Sequence, residues 1–312
     1  MMKPSAGPRP AGERNPNCRR VCYSMARFDR RSVCSTLCLM ITALAGVTGL
    51  LPPPAWAENA GLTAVFSTPA VGSKNTADHS AWDDLLKRYV KPGSDGINHV
   101  DYSAFKSGGH SELKSYIKTL ENTDPRTLDR PEQFAFLANL YNAKTIDVVL
   151  DHYPVKSIKD ISLGGGLVAA LTGGPWKATV LKIAGVDASL DDIEHGVLRP
   201  VFKDPRVHYA INCASVGCPN LGTEAFTGAK LDQQLDAAAQ AYINHPRGVA
   251  IVDYGFVVSS IYTWFQSDFG GNEQGVLKHL ARFAAPPLAT KLKAASVIDD
   301  YAYDWSLNDI KH

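Results

Sequence analysis

Apolar positions recur at helical spacing through much of the chain. In the segment 82–90 they fall three or four residues apart, and Pro92-Gly93 ends the pattern, which predicts an amphipathic helix. A second such stripe covers Glu112–Leu120. The strongest pattern is Glu132–Tyr153, which follows Asp129-Arg130-Pro131 and is apolar on most of its surface. A helix that is apolar nearly all round is a central one, so we expect the other elements to pack around it.

Shorter elements follow in the second half of the chain. Gly185 separates two short strand patterns, and Ser189 with Asp192 forms a capping-box pair that begins a helix over Leu190–Leu198. Further strands are predicted at Val207–Asn212, in a hairpin over Val249–Val258 and in the tail Val297–Leu307, with helices at Lys230–His245, Ser260–Phe269, Gly275–Ala284 and Leu288–Ala294. Because the strands are few and short, the sequence predicts a helix-rich α+β domain with a small, mainly antiparallel sheet.

The N-terminus has the pattern of an export signal. Basic residues precede the apolar run Val33–Leu51, a proline triplet follows it, and Ala55-Trp56-Ala57 has the small residues that a signal peptidase reads. We expect cleavage after Ala57, with Met25 as an alternative start. The apolar run is long enough for an uncleaved anchor, but the proline break favours cleavage. The chain is therefore expected to be exported, periplasmic or secreted, without stable membrane insertion.

Composition limits the possible organisation and partners of the residues after the signal. Residues 58–78 are rich in small residues without periodicity and predict a flexible lead-in, and residues 79–312 predict a single globular domain. The whole chain has a formal net charge of +1. Since the signal segment is basic, the mature chain is mildly acidic and has no basic run. This argues against nucleic acid or an anionic membrane as the partner.

The candidate chemistry is concentrated in Arg206–Leu221, where a predicted strand ends in a turn. Cys213 stands at that break and could act as a nucleophile. The neighbouring Asn212 side chain and the backbone of Ala214 and Ser215 could then supply the donors of an oxyanion hole.

A nucleophilic cysteine needs a base that lowers its pKa. His208 lies five residues before Cys213, so on an unbroken strand it would point to the opposite face, about 16 Å away. His195 lies on a different predicted element and is therefore the preferred base. Asp191, one helical turn earlier, or Glu194 would orient its imidazole.

Two other uses of the cysteines remain open. Only Cys213 and Cys218 lie outside the predicted signal, and export favours a disulfide between them if the turn brings their Cα atoms within about 7 Å. The bridge would be structural or a redox latch. Alternatively, His208 and the two cysteines could bind zinc, with His195 or Glu194 completing the site. That spacing is unlike the usual C-x2-C motif. No cofactor is expected.

Asn139 and Asn142 lie one turn apart inside the predicted central helix. Buried amides need partners, so we expect them to bind neighbouring loop backbone, with a place in the active cleft as the alternative. The glycine-rich segment Leu163–Pro175 lacks the Lys-Ser/Thr ending of a phosphate loop and predicts a flexible apolar flap.

Aromatic residues mark the tail and one earlier helix: Tyr301, Tyr303, Trp305 and Trp264. They could form a platform for carbohydrate. Alternating aromatic residues on a strand more commonly pack in the core, so we expect these four residues to be core residues.

Four segments together resemble the family catalogued as domain of unknown function 547: FAFLANLYNAKTI, SLDDIEHGVLRP, RVHYAINCASVGCPNL and YAYDWSLN. The resemblance covers roughly Trp82 to Asn308. It implies an exported bacterial protein without a settled reaction, and it marks Asn139, Asn142, Glu194, His195, His208 and Cys213 as candidate polar site residues.

These observations predict an exported protein of uncharacterised function that is a Cys-dependent hydrolase or acyl/amide transferase. Its substrate would be a peptide or another component of the cell envelope. A histidine that precedes the cysteine would suit a papain- or transglutaminase-like site, by analogy only. The alternatives are a non-enzymatic envelope binding or structural protein with the Cys213–Cys218 disulfide, or a zinc-site protein.

Overall fold

The structure is a computed structural model that describes residues 59–163, 174–253 and 255–310. The predicted signal 1–57 and most of the predicted flap Leu163–Pro175 lie outside the described residues. Of the helices in the described ranges, none combines the length and apolar character that a membrane crossing needs.

Helices dominate the described structure. In chain order they are α1 (Ala60–Ser67), α2 (Ser80–Tyr89), α3 (Tyr102–Gly108), α4 (His110–Asn122), α5 (Arg130–His152), α6 (Asp192–Phe202), α7 (Val207–Ala210), α8 (Leu231–Ile243), α9 (Ile261–Trp264), α10 (Glu273–Phe283) and α11 (Pro286–Ala294). Short 3₁₀ turns lie at Pro125–Thr127, Ile158–Asp160 and Gly228–Lys230.

The strands form three small sheets. They are β1 (Val90–Pro92), β2 (Asn98–Val100), β3 (Leu181–Ile183), β4 (Val186–Ala188), β5 (Val249–Val252), β6 (Gly255–Ser259) and β7 (Asp300–Ala302). The pairs β1–β2, β3–β4 and β5–β6 are antiparallel, and β7 adds to β6 in parallel. The prediction of a helix-rich α+β domain with small, mainly antiparallel sheets is confirmed.

Helix α5 is the centre of the fold, as its apolar pattern predicts. It runs for 23 residues and begins with the side chain of Asp129 accepting a hydrogen bond from the backbone N–H of Glu132. Pro131 stands in the first turn, where its missing N–H costs nothing. Nearly every side chain from Glu132 to Leu150 is buried. A second apolar core, centred on Tyr242, joins α8, β6, α10 and α11.

The predicted strand Val207–Asn212 is wrong, because Val207–Ala210 form the short helix α7. A turn starts it: the Asp204 side chain accepts a hydrogen bond from the backbone N–H of Arg206 at 2.8 Å. None of the described strands pairs with this segment, which bonds within itself, with the N–H of Ile211 donating to the carbonyl of Val207 at 3.3 Å.

The expected flexible lead-in also differs from the structure, because residues 60–67 form α1. Leu62 and Phe66 on this helix are fully buried. The Asn59 side chain caps it by accepting from the N–H of Leu62 at 3.1 Å. Val65 is buried as well, so three apolar side chains at helical spacing dock this short helix.

The two remaining predicted elements are shorter than expected. The predicted helix Ser260–Phe269 is helical only over α9, and the predicted tail strand is extended only over β7. Beyond β7 the tail crosses other parts of the molecule. The N–H of Val216 donates to Ser306 at 2.8 Å, that of Asn308 to Ala214 at 3.2 Å, and that of Val100 to Asn308 at 2.8 Å.

Candidate functional site

A cavity of about 280 Å³ lies among α5, α6, α7, α9 and the tail. One side of the cavity carries carboxylates and imidazoles, and the opposite side is aromatic. The loop that holds the two cysteines also lines the cavity. The residues on these three parts are Asp191, Glu194, His195 and His208; Cys213 and Cys218; and Trp176, Trp264, Phe265, Tyr303 and Trp305. All the candidate residues with acid–base or thiol chemistry thus face one space.

Helix α6 supplies most of the polar side. Its start is fixed by the predicted capping box: Ser189 donates to the Asp192 carboxylate, and the N–H of Asp192 donates back to Ser189 Oγ at 3.0 Å. The helix then presents Asp191, Glu194 and His195 to the cavity. The sequence pattern locates this helix because its signals are local.

Helix α6 is wound as a π-helix, a geometry found frequently at functional sites. Pro200 lies inside it and has no N–H, so in the i→i+5 pattern it cannot donate to the carbonyl of His195. The hydroxyl of Thr63 on α1 donates to the neighbouring carbonyl of Gly196 at 2.9 Å. This contact fastens α1 to α6.

His195 lies between a carboxylate and a guanidinium group. Its Nε2 is 3.5 Å from Asp191 Oδ1, and Arg199 Nη1 donates to its Nδ1 at 2.8 Å. Because an arginine can only donate, Nδ1 is the acceptor, so in the neutral ring the proton is on Nε2 and faces Asp191. The expected pairing of Asp191 with His195 is thus present in the structure.

His208 also lies in this cavity, contrary to the expectation that it points away from Cys213. The strand assumed in that expectation is the helix α7, which turns the side chain inward. Its Nε2 is 2.8 Å from Asp268 Oδ2, its side chain is only 2% exposed, and its ring stacks on Phe265 at 4.2 Å. Glu194 Oε1 is 4.0 Å from the other ring nitrogen.

Asp268 joins the two halves of the polar side. Arg199 donates to it twice, at 2.6 and 3.0 Å, in addition to the contact from His208. Burial raises the pKa of this carboxyl, but the hydrogen bonds from His208 and Arg199 lower it more, so that its pKa lies well below the usual range. Sequence patterns miss Asp268 because it lies 60 residues from His208 in the chain.

We expect Asp268→Asn to lower the free energy of unfolding by about 2 kcal/mol, because it weakens charge-assisted hydrogen bonds to Arg199 and His208. Urea unfolding at neutral pH measures this. A carboxyl with a lowered folded-state pKa stabilises above its unfolded value, about 3.9, and loses that effect below it. The difference between variant and wild type should therefore shrink in stronger acid.

Asp232→Asn is the matched control for this variant. Asp232 also pairs with an arginine, Arg206, but its side chain is 89% exposed. Exposed pairs contribute about 0–1 kcal/mol, so this variant should change stability little. Equal losses in the two variants would contradict a structural role for the Asp268 network.

The two cysteines are joined in a disulfide, with their Cα atoms 6.3 Å apart. Of the three uses that the sequence leaves open, the disulfide is the one that the structure contains. The loop is held by Asn212, whose side chain donates to the carbonyl of Pro219 at 2.6 Å and accepts from the N–H of Ala214 at 2.8 Å. Ala214 adopts a positive φ of 60° at the turn.

These hydrogen bonds involve two groups of the expected oxyanion hole. The Ala214 N–H is used within the loop, and the Asn212 amide uses one of its two N–H hydrogens there. The Ser215 hydroxyl remains beside the sulfur of Cys213, at 3.3 Å. In this oxidised loop the Ala214 N–H is therefore engaged by Asn212.

Tyr303 is the principal neighbour of the disulfide and was not among the predicted site residues. Its hydroxyl lies 3.0 Å from Cys213 Sγ, 3.1 Å from Cys218 Sγ and 2.9 Å from Ser215 Oγ. Burial raises the pKa of Tyr303, which keeps the phenol protonated as a donor. Within the described ranges, neither His195 nor His208 hydrogen-bonds to a sulfur.

Asn139 and Asn142 bind backbone, as the sequence leads one to expect, and neither lines the cavity. Asn139 pairs with both backbone groups of Phe226, at 2.8 and 3.0 Å. Asn142 donates to the carbonyl of Ala210 and accepts from the N–H of Asn212, both at 2.8 Å. Asn142 thus fastens α5 directly to the cysteine loop.

The alternative zinc set is not assembled, because the cysteines are bonded to each other and His208 faces Asp268. A different cluster of His110, Asp147 and Asp151 brings three possible ligand groups within 4.8 Å of one another. Two ammonium groups already occupy it: Lys114 lies 3.0 Å from both carboxylates, and Lys144 lies 2.8 Å from Asp147. This cluster is an ion-pair network between α4 and α5.

The aromatic side of the cavity corrects the expectation of core packing for the tail. Trp264, Tyr303 and Trp305 line the cavity, and Tyr301 packs against the second core instead. Trp264 lies 4.8 Å from Tyr303 and 5.6 Å from Trp305, measured between ring centroids. The aromatic residues thus form one connected wall.

Comparison with known proteins gives one match. Residues 125–243 match the family model described as "Protein of unknown function, DUF547". No curated protein and no solved structure matches the chain. The matched span contains α5, α6, α7, the cysteine loop and α8. Over residues 125–243 the chain is therefore similar to the family of unknown function 547, in agreement with the resemblance of its motifs.

Proposed function

We propose that this chain is an exported, non-enzymatic binding protein whose cavity holds a small ligand. The Cys213–Cys218 disulfide in the cavity wall is the observation that carries the proposal, because a sulfur in a disulfide is not a thiolate nucleophile. Disulfides persist in oxidising compartments, which agrees with the export signal expected at the N-terminus. The site of action is the periplasm or the extracellular space.

The composition of the cavity also supports binding. Small-ligand sites are concave, mostly apolar and furnished with a few placed polar groups. Here an aromatic wall faces two carboxylates and two imidazoles, and the cavity between them has a volume of about 280 Å³. The imidazoles are held by Arg199 and Asp268 rather than by a nucleophile.

Peptide mapping tests the state of the cysteines. Trypsin cleaves after Arg206 and Lys230 and releases a single peptide, 207–230, that holds both cysteines and neither lysine nor arginine before its end. We expect this peptide from the exported full-length chain to resist alkylation and to be lighter by two hydrogens. After reduction it should take up two alkyl groups. Alkylation without reductant would contradict the proposal.

A second candidate function is a Cys-dependent hydrolase or acyl transferase for peptide or amide bonds, active only after reduction. One observation favours it: Cys213 is half-buried and faces the cavity, while Cys218 is buried. The hydroxyls of Tyr303 and Ser215, at 3.0 and 3.3 Å, would stabilise a thiolate there. The base would be His195 or His208 after a rearrangement.

An electrophilic amide probe separates the two functions. With reduced protein, the enzyme requires rapid labelling that is lost in Cys213→Ser, is kept in Cys218→Ser and has an apparent pKa well below about 8.5. Slow labelling at the rate of an ordinary thiol would reject the enzyme and leave the binding function.

A further inference from the structure

We infer that the ligand of this cavity is a carbohydrate. The apolar face of a sugar ring would lie on the aromatic wall, and its hydroxyls would bind the carboxylates at the start of α6. The inference rests on the binding function proposed above and names its ligand class. It is carried by an exposed tryptophan, by free acceptor capacity opposite to it and by the distribution of charge.

Trp264 is the first of these observations. Among the described residues the exposed large apolar side chains are Val71, Ile251, Trp264 and Val297, and only the tryptophan of these lines the cavity. It is 48% exposed, although its ring lies against two other aromatic rings. An indole fixed by its neighbours and open on one face offers a large apolar surface at little entropic cost.

The carboxylates of α6 are the second observation. Within the described part of the chain, Glu194 accepts one hydrogen bond, from Tyr141 at 3.3 Å, and Asp191 lies 3.5 Å from the Nε2 of His195. An ionised carboxyl has about four acceptor positions, so both retain capacity toward the cavity. Hydroxyl groups of a ligand are suitable donors for them.

The charges decide between ligand classes. A cation would suit the acids and the aromatic wall, but Lys177 lines the same cavity, and Lys159 already lies over the ring of Trp305 at 5.0 Å. A wholly apolar ligand would cover the carboxylates without bonding to them, which is costly. A neutral ring with apolar faces and hydroxyl edges satisfies both sides.

Tryptophan fluorescence gives a direct test, because three of the five tryptophans line the cavity. The full-length protein is titrated with cellotriose, chitotriose and maltotriose, and separately with choline chloride as a cation. We expect a saturable change with at least one trisaccharide. Trp264→Ala should weaken that binding about tenfold or more.

Ile251→Ala is the matched control, since Ile251 is also 48% exposed but lies away from the cavity. It should leave the affinity within about twofold. Glu194→Gln provides a second variant at the site and should also weaken binding, because the amide replaces one acceptor oxygen with a donor.

The outcomes separate this inference from the function on which it rests. Binding of choline but of no sugar, dependent on Trp264, would overturn the carbohydrate class and keep the binding function. Sugar binding that Trp264→Ala leaves unchanged would overturn the assigned place. Failure of every probe would overturn the carbohydrate inference, and a reactive Cys213 in the same preparation would overturn the binding function as well.

Discussion

Replacing Asn142 by alanine is expected to lower the free energy of unfolding by about 4 kcal/mol. The side chain amide is buried and makes two hydrogen bonds of 2.8 Å, to the carbonyl of Ala210 and from the N–H of Asn212. Alanine leaves both backbone groups buried without partners, and each costs about 1–3 kcal/mol. Denaturant unfolding with an unchanged m-value would measure the loss.

Asn122→Ala is the control for this substitution. Asn122 is exposed at the end of α4, so the same change of side chain should alter stability by no more than about 0.5 kcal/mol. Loss of less than about 1 kcal/mol in Asn142→Ala would mean that water replaces the amide, and it would remove this contact from the forces that hold the cysteine loop on α5.

Acidification from pH 6.5 to 4 is expected to destabilise the protein by several kcal/mol. Burial is the main cause that lowers the pKa of His79 to about 4, and it does the same for His279. Between these values and the ordinary 6.5, the unfolded chain binds protons that the folded chain does not. Stability therefore falls as pH falls, by up to about 3 kcal/mol for each histidine. Urea unfolding at several pH values measures it.

A variant isolates the contribution of one of these histidines. His79→Phe removes a titrating group and should flatten the pH dependence by about 1.4 kcal/mol per pH unit at most. Tyr116→Phe removes only the hydroxyl that lies 2.7 Å from His79 Nδ1, keeps the imidazole buried and should retain the slope. A pH profile that is flat in the wild type would contradict the expectation.

The elements that the sequence predicts well are those with local signals. The apolar surface of α5, the capping box of α6 and the hairpins around Gly185 and Asp253 depend on residues a few positions apart. Helix α1 is not predicted because its stability comes from contacts that are distant in sequence, such as that of Thr63 with Gly196. Helix α7 is not predicted because its apolar run resembles a strand, whereas no strand in the described ranges pairs with it.

In the candidate site, too, the sequence indicates the residues that lie in local motifs and misses those brought in from distant segments. Two short motifs mark His195, Asp191, Glu194 and Cys213 as candidates, and all four line the same cavity. It gives no hint of the hydroxyl on the disulfide, since Tyr303 lies 90 residues after Cys213. A contact over that separation depends on the complete fold. For the same reason, no spacing rule could choose among disulfide, nucleophile and metal.

The course of the tail has a consequence for the order in which the cavity forms. Tyr303 and Trp305 follow β7, which pairs with β6 only after most of the domain exists. During folding, the cavity lacks Tyr303 and Trp305 of its aromatic wall until the segment after β7 docks. We therefore expect this wall to form late, after elements with local contacts such as α5.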